Sequence, residues 1–155
     1  MSFQKYFVAM KPTDNEIFSS RVMNYSVEKV YLAFEDPDHL KNWWGPNGFS
    51  NTIHEFDLRP GGKWDLTMHG PEVGNYRNTS EFKIVIPQKL VSWRRITQPY
   101  FDMEVGFEKL SETKTNISFR MVFGTPEECT KIRKFALPKN EENFDRLEIE
   151  LENIK

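Results

Sequence analysis

The sequence predicts an α+β protein: a curved antiparallel sheet of about seven strands, in the order β-α-α-β6-α, wrapped around a long C-terminal α-helix. Three observations carry that expectation. Between residues 49 and 123, short stretches of approximate apolar/polar alternation are separated by turn residues at roughly the 8–12-residue spacing of an antiparallel meander. Two short capped helical patterns stand between a first strand and that meander. Beyond Pro126 the period becomes helical, and Phe144, Leu147, Leu151 and Ile154 fall at i, i+3, i+7 and i+10 on an otherwise highly charged helix. A sheet this long must curl, its apolar face needs a cover, and only the last helix is long and amphipathic enough to provide one.

Taken in order, residues 1–14 read as an N-terminal extension, closed by Pro12 and the polar Thr13-Asp14-Asn15, and residues 15–155 as a single domain. Glu16 to Met23 has the texture of a first strand, with Ile17, Phe18 and Val22 among polar residues. Ser26 is a good N-cap for a helix running to about Glu35, because Val27, Val30, Tyr31 and Phe34 share one helical face. Asp36 caps a second, short helix with Pro37 in its first position, where a missing N–H costs nothing. Leu40, Trp43 and Trp44 are its apolar residues, and Gly45-Pro46 stops it. Six strands follow at about 50–58, 63–69, 75–86, 90–97, 100–110 and 114–123. Trp64, Leu66 and Met68 alternate with Asp65, Thr67 and His69, and Ile117, Phe119, Met121 and Phe123 with Asn116, Ser118 and Arg120, so one face is buried and one wet. Pro126 opens the final helix, Glu127 and Glu128 complement its dipole, and Pro138 is expected to break or kink it.

Composition excludes several classes. The 155 residues suffice to bury about 70% of the unfolded surface around one core. With 21 Lys+Arg against 23 Asp+Glu, both scattered along the chain, a strongly basic nucleic-acid binder is not expected. A single cysteine, Cys129, can form neither an intramolecular disulfide nor a Cys-rich zinc site. No apolar run approaches the roughly 18–20 residues of a membrane span, and the N-terminus lacks the basic flank and apolar stretch of a signal peptide, so a cytoplasmic location is expected. Aromatic residues reach 14% while hydrophobic content is only 38%. Large flat side chains fill a packed core or line a pocket equally well.

Three strings carry a family resemblance. Asp36-Pro-Asp-His-Leu-Lys-Asn-Trp-Trp-Gly-Pro46 resembles the short-helix signature of the START-like (SRPBCC) superfamily, and within it the branch of homologues of the activator of the heat shock protein 90 ATPase. Phe56-Asp-Leu-Arg-Pro-Gly-Gly-Lys-Trp64, continuing to Met68 and Gly70-Pro71, is similar to that branch's strand–turn–strand motif, and Phe144-Asp-Arg-Leu147 with Leu151 to its helix ending. The resemblance implies a helix-grip fold with an apolar cavity between sheet and helix. It implies a ligand-binding domain more directly than a reaction, since relatives include lipid carriers, cyclases, hormone receptors and co-chaperone domains.

Alternation suggests Phe56, Trp64, Leu66, Met68, Phe82, Ile84, Trp93, Phe101, Met103, Phe107, Phe119 and Met121 as the inner face, with Phe135, Phe144 and Leu147 of the helix facing them. The alternative for most of them is an ordinary core. Met favours a cavity wall that accepts varied shapes. Trp44 and Phe49 are candidates for the pocket mouth. Parity with Phe56 places His54 inward, parity with Phe82 places Asn78 and Ser80 inward, and parity with Trp93 does so for Arg95, whose guanidinium would pair with a carboxylate ligand or an internal acid. The ligand-binding set is thus Trp44, Phe49, His54, Phe56, Trp64, Met68, Ser80, Phe82, Trp93, Arg95, Met103, Phe119, Met121 and Phe135.

No metal or cofactor is expected. His39, His54 and His69 lie on separate elements without ligand spacing, and the glycines read as turns, not phosphate loops. Asp57 is expected to bond its own turn, and Cys129 to be a structural thiol. The function these features predict is the binding of a small apolar or amphipathic ligand. Two alternatives stand beside it: a cyclase- or hydrolase-type enzyme using His54 or an inward acid, and a chaperone-interacting module acting through the outer sheet face or the acidic last helix.

Overall fold

In the computed structural model, which describes residues 13–72 and 74–154, the chain runs β1 (Glu16–Met23), α1 (Val27–Glu35), α2 (Pro37–Trp43), β2 (Ser50–Phe56), β3 (Lys63–His69), β4 (Asn75–Ile86), β5 (Leu90–Arg95), β6 (Asp102–Ser111), β7 (Lys114–Val122) and α3 (Pro126–Asn153). Most of the expected N-terminal extension, residues 1–12, lies outside the described residues. The strands form one antiparallel sheet in the order β1-β7-β6-β5-β4-β3-β2. Strands β2 to β7 are a simple meander, and β1 closes onto β7 at the far edge. Because β1 and β2 occupy opposite edges, their connection must cross the sheet, and α1 and α2 make that crossing on the same side as α3.

Local chemistry explains the breaks. The Ser26 hydroxyl accepts from the Lys29 N–H at 3.3 Å. Asp36 both ends α1 and starts α2, its carboxylate accepting from the Asp38 N–H at 2.9 Å with Pro37 at the first turn. Thr125 caps α3 by accepting from the Glu128 N–H at 3.2 Å. Of the break or kink expected at Pro138, the break does not occur: α3 runs on through it over 28 residues. Pro138 and Lys134, whose carbonyl loses its helical donor, are both exposed, so water can replace the missing bond. In the β2–β3 turn, a Cβ on Gly62 would fall 2.0 Å from the Asp57 carbonyl oxygen, so only glycine fits that approach. The Asp57 carboxylate there accepts from the side chain of Arg59 at 2.9 Å, and not from turn backbone as expected.

Helix α3 is held to β1 by Arg21, whose guanidinium donates to Asp145 at 2.7 Å, to Glu141 at 2.9 Å and to Glu148. Beneath α1, Phe34 is the centre of an aromatic cluster: stacked on Trp93 at 5.8 Å, and edge-on to Trp44, Phe56, Trp64 and Phe107.

Two β-bulges overturn parity assignments. In β2 the register shifts between Ile53 and Glu55, so Ile53 opposes Leu66 and Phe56 opposes Trp64, while the intervening His54 turns outward. His54 is exposed, with Nε2 2.8 Å from Thr67 Oγ1, and not in the interior as alternation predicted. A second bulge, between Phe82 and Ile84 in β4, leaves Ile84 exposed and brings Val85 onto the core. Phe135 is likewise misassigned, being 57% exposed. At about 100° per residue, its separation from Phe144 puts it on nearly the opposite side of α3. Cys129, Ile132 and Ala136 occupy the facing positions instead.

Candidate functional site

Between the concave sheet face and α3 lies a cavity of about 370 Å³ that is partly open to solvent. Trp44, Trp64, Trp93 and Phe119 make its aromatic wall, and Leu66, Met68, Met103 and Met121 extend it along the sheet. Ile132, Ala136, Asn140 and Asn143 close it from α3, while Pro99 and Phe101 border it from the β5–β6 loop.

Trp44 reaches this wall because it is the C-cap of α2. Its extended backbone (φ −68°, ψ 130°) releases the ring from the helical face that buries Trp43. Trp43 donates its indole N–H to the Ala33 carbonyl at 2.8 Å and anchors α2 on α1. The Trp44 ring lies 5.1 Å from Trp64 and 5.7 Å from Trp93 and Phe119, so it forms an inner wall and not the expected mouth. Phe49 packs towards Tyr76, with ring centroids 6.3 Å apart, and is not among the lining residues. Phe56 and Phe82 belong to the cluster around Trp64, at 5.7 and 6.2 Å, and do not line the cavity either.

One positioning residue escaped the sequence reasoning. From α3, Arg146 Nη1 donates to the carbonyls of Trp44, Gly45 and Pro46 at 3.1, 2.9 and 3.0 Å. Its Nη2 donates to those of Asn42 and Phe49 at 2.9 and 2.8 Å. A planar fork with several fixed donors suits such a task, and it pins the loop that carries Trp44 and Pro46 to the cavity wall. Burial lowers the Arg146 pKa from its ordinary value. The only sequence signal for it was its place in the Phe144-Asp-Arg-Leu147 string.

The polar lining is sparse. Asn78, Ser80 and Arg95 all turn inward, in agreement with their parity, and all line the cavity. Arg95 Nη2 donates to Asn78 Oδ1 at 2.6 Å, to Thr97 Oγ1 at 3.2 Å and to the Gln98 carbonyl at 3.0 Å, and Nε donates to the Thr97 carbonyl at 3.3 Å. The guanidinium also lies 5.5 Å from the Phe101 ring centroid. Burial draws its pKa below the ordinary arginine value. Two buried polar atoms on the wall, Trp64 Nε1 and Asn143 Oδ1, have no hydrogen-bond partner.

No histidine, aspartate or glutamate is among the described lining residues. His54 is outside, His39 Nδ1 pairs with Glu150 at 2.8 Å, and His69 bridges Thr52 at 2.8 Å and Asn75 at 2.6 Å. A reaction based on His54 therefore has no base in the cavity. Among the described residues no three His, Cys, Asp or Glu side chains converge as a metal site, and no helix is long and apolar enough to cross a membrane.

Cys129 is fully buried at the start of α3, and burial pushes its thiol up, outweighing the nearby Arg133. We expect iodoacetamide at neutral pH to leave the native protein unlabelled and to add one adduct in denaturing urea, as read by intact mass. Rapid native labelling would contradict this packing.

Comparison with known proteins agrees with this architecture. Residues 24–152 match the family described as Activator of Hsp90 ATPase homolog 1-like protein. No curated protein matches the chain significantly in sequence. Among solved structures, a protein of Nitrosomonas europaea is similar with a TM-score of 0.83 at 20% identity, over 94% of this chain and 100% of that one. A protein of Rhodobacter sphaeroides gives 0.84 at 17% identity, over 94% and 98%. A protein of Arthrobacter aurescens gives 0.82 at 18% identity, over 93% and 91%.

Proposed function

Since the chain belongs to the Activator of Hsp90 ATPase homolog 1-like family, with its START-like helix-grip fold, we propose that it binds a small amphipathic ligand in the cavity between sheet and α3. The observation that carries this reading is the cavity wall itself. A volume of about 370 Å³ falls in the range of small-molecule pockets, roughly 300–1,000 Å³. Its lining is mostly Trp, Phe, Met and Leu, with a few inward polar groups. Desolvating that aromatic and thioether surface would supply most of the binding energy, and Asn78, Ser80, Arg95 and Asn143 would set orientation. Of the residues proposed from sequence, Trp44, Trp64, Met68, Ser80, Trp93, Arg95, Met103, Phe119 and Met121 remain in the proposed site.

Native mass spectrometry of the purified protein, with solvent extraction of any co-purifying mass, would identify a retained ligand. A solvatochromic apolar dye tests the cavity directly. Ser80→Trp, from the sheet side, and Ala136→Leu, from the helix side, are each expected to weaken dye binding by about tenfold or more by filling the space. Far-UV circular dichroism would check that each variant remains folded. Unchanged dye affinity in two folded variants would refute the cavity reading. A chaperone contact through the outer surface would survive both substitutions.

A further inference from the structure

We propose that the ligand of this cavity is an anion: a compact apolar molecule bearing one carboxylate, with Arg95 as the head-group residue. The proposal rests on the cavity-binding reading above and adds the chemical class.

The described lining residues include Arg95 and Lys139 and no carboxylate, and Lys139 is exposed. Arg95 is partly buried and makes no ion pair with any acid among the described residues; its partners are an amide, a hydroxyl and two carbonyls. Those bonds occupy Nε and Nη2 and fix the plane of the guanidinium, while Nη1 donates to no described residue. A cation held rigid beside an aromatic wall without a counter-charge is costly, and an incoming carboxylate relieves that cost by a charge-assisted hydrogen bond. Arg95 is the one partly buried cation in the described lining, so a monoanion matches it better than a dianionic phosphate.

Trp64 pairs with Ser80, and Ser80 with Arg95, so the three inward side chains form one row across β3, β4 and β5. The row turns a hydroxyl and a guanidinium towards the cavity, donors suited to an oxygen-rich edge of a ligand. The apolar body would then lie against Trp44, Trp93 and Phe119.

Isothermal titration of a naphthalene carboxylate against the matching naphthalene carboxamide tests this, since the pair differs little except in charge. The wild-type protein is expected to bind the carboxylate at least about tenfold more tightly, and Arg95→Gln to reduce the ratio of the two affinities to about one, with carboxylate binding losing the most. Equal affinities in the wild type would overturn the anion assignment and leave the cavity reading intact. A preference that persists in Arg95→Gln, or loss of both probes in a folded Arg95→Gln, would overturn the role given to Arg95. Failure of the wild type to bind either probe or the apolar dye would overturn both readings.

Discussion

Phe34→Ala is expected to lower the unfolding free energy by about 3–5 kcal/mol, the usual cost of truncating a buried aromatic. Phe34 is fully buried, stacked on Trp93 and edge-on to Trp44, Phe56, Trp64 and Phe107. Those rings reach it from α2 and from strands β2, β3, β5 and β6, so no single neighbour can move into the void without leaving its own contacts. Against a typical total stability of about 5–15 kcal/mol, the loss is a large share. Urea unfolding should show a lower midpoint with an unchanged slope. Because Trp44, Trp64 and Trp93 also face the cavity, the same variant should weaken dye binding. A loss below about 1 kcal/mol would mean that the cluster repacks around the void.

Arg146→Met is the second large effect, expected to cost about 3 kcal/mol. The substitution keeps much of the apolar stem but removes a donor from five carbonyls. Those of Trp44 and Pro46 keep a second donor, from Asn51 and the Phe49 N–H, and those of Asn42, Gly45 and Phe49 lose the side-chain donor they have. Hydrogen bonds to charged groups contribute about 1.5–3 kcal/mol each when lost singly, and water reaching the freed carbonyls recovers part of the total. Arg146→Lys should rescue little, because one ammonium cannot span carbonyls on both sides of the loop. Hydrogen exchange offers a readout distinct from general destabilisation: amides of residues 44–51 should lose protection more than those of β6 and β7. Uniform loss across the protein would show that Arg146 acts on global stability and not on the loop.

The elements were largely legible in the chain because their causes are local. Ser26, Asp36-Pro37 and Thr125-Pro126 carry helix starts in their own side chains, and alternation along β3 and β7 needs nothing beyond two-residue periodicity. The strand ends were less so: β2 stops at Phe56, β5 at Arg95 and β7 at Val122, and β6 begins at Asp102, each short of the alternating stretch, because alternation continues into loops that no partner strand pairs.

The candidate site divides along the same line. Ser80 and Arg95 were readable as inward because β4 and β5 keep strict pairing across that row. His54 and Ile84 were not, since a bulge depends on how the neighbouring strand pairs and leaves no mark in a strand's own composition. Phe135 shows the corresponding limit for helices: with a break expected at Pro138 its phase could not be tied to the Phe144, Leu147 and Leu151 stripe, whereas the continuous α3 carries that phase through and turns Phe135 outward. Arg146 shows it for polar residues, since its five acceptors lie about a hundred residues away in sequence. By itself, then, the sequence determined the order and type of the elements and the apolar face of most strands, because these follow from backbone geometry and side-chain chemistry within a few residues. Only the tertiary structure decided that the inner faces leave a cavity instead of closing into a solid core, and which polar groups enter it. Those outcomes depend on long-range register and on where α3 comes to rest across the sheet.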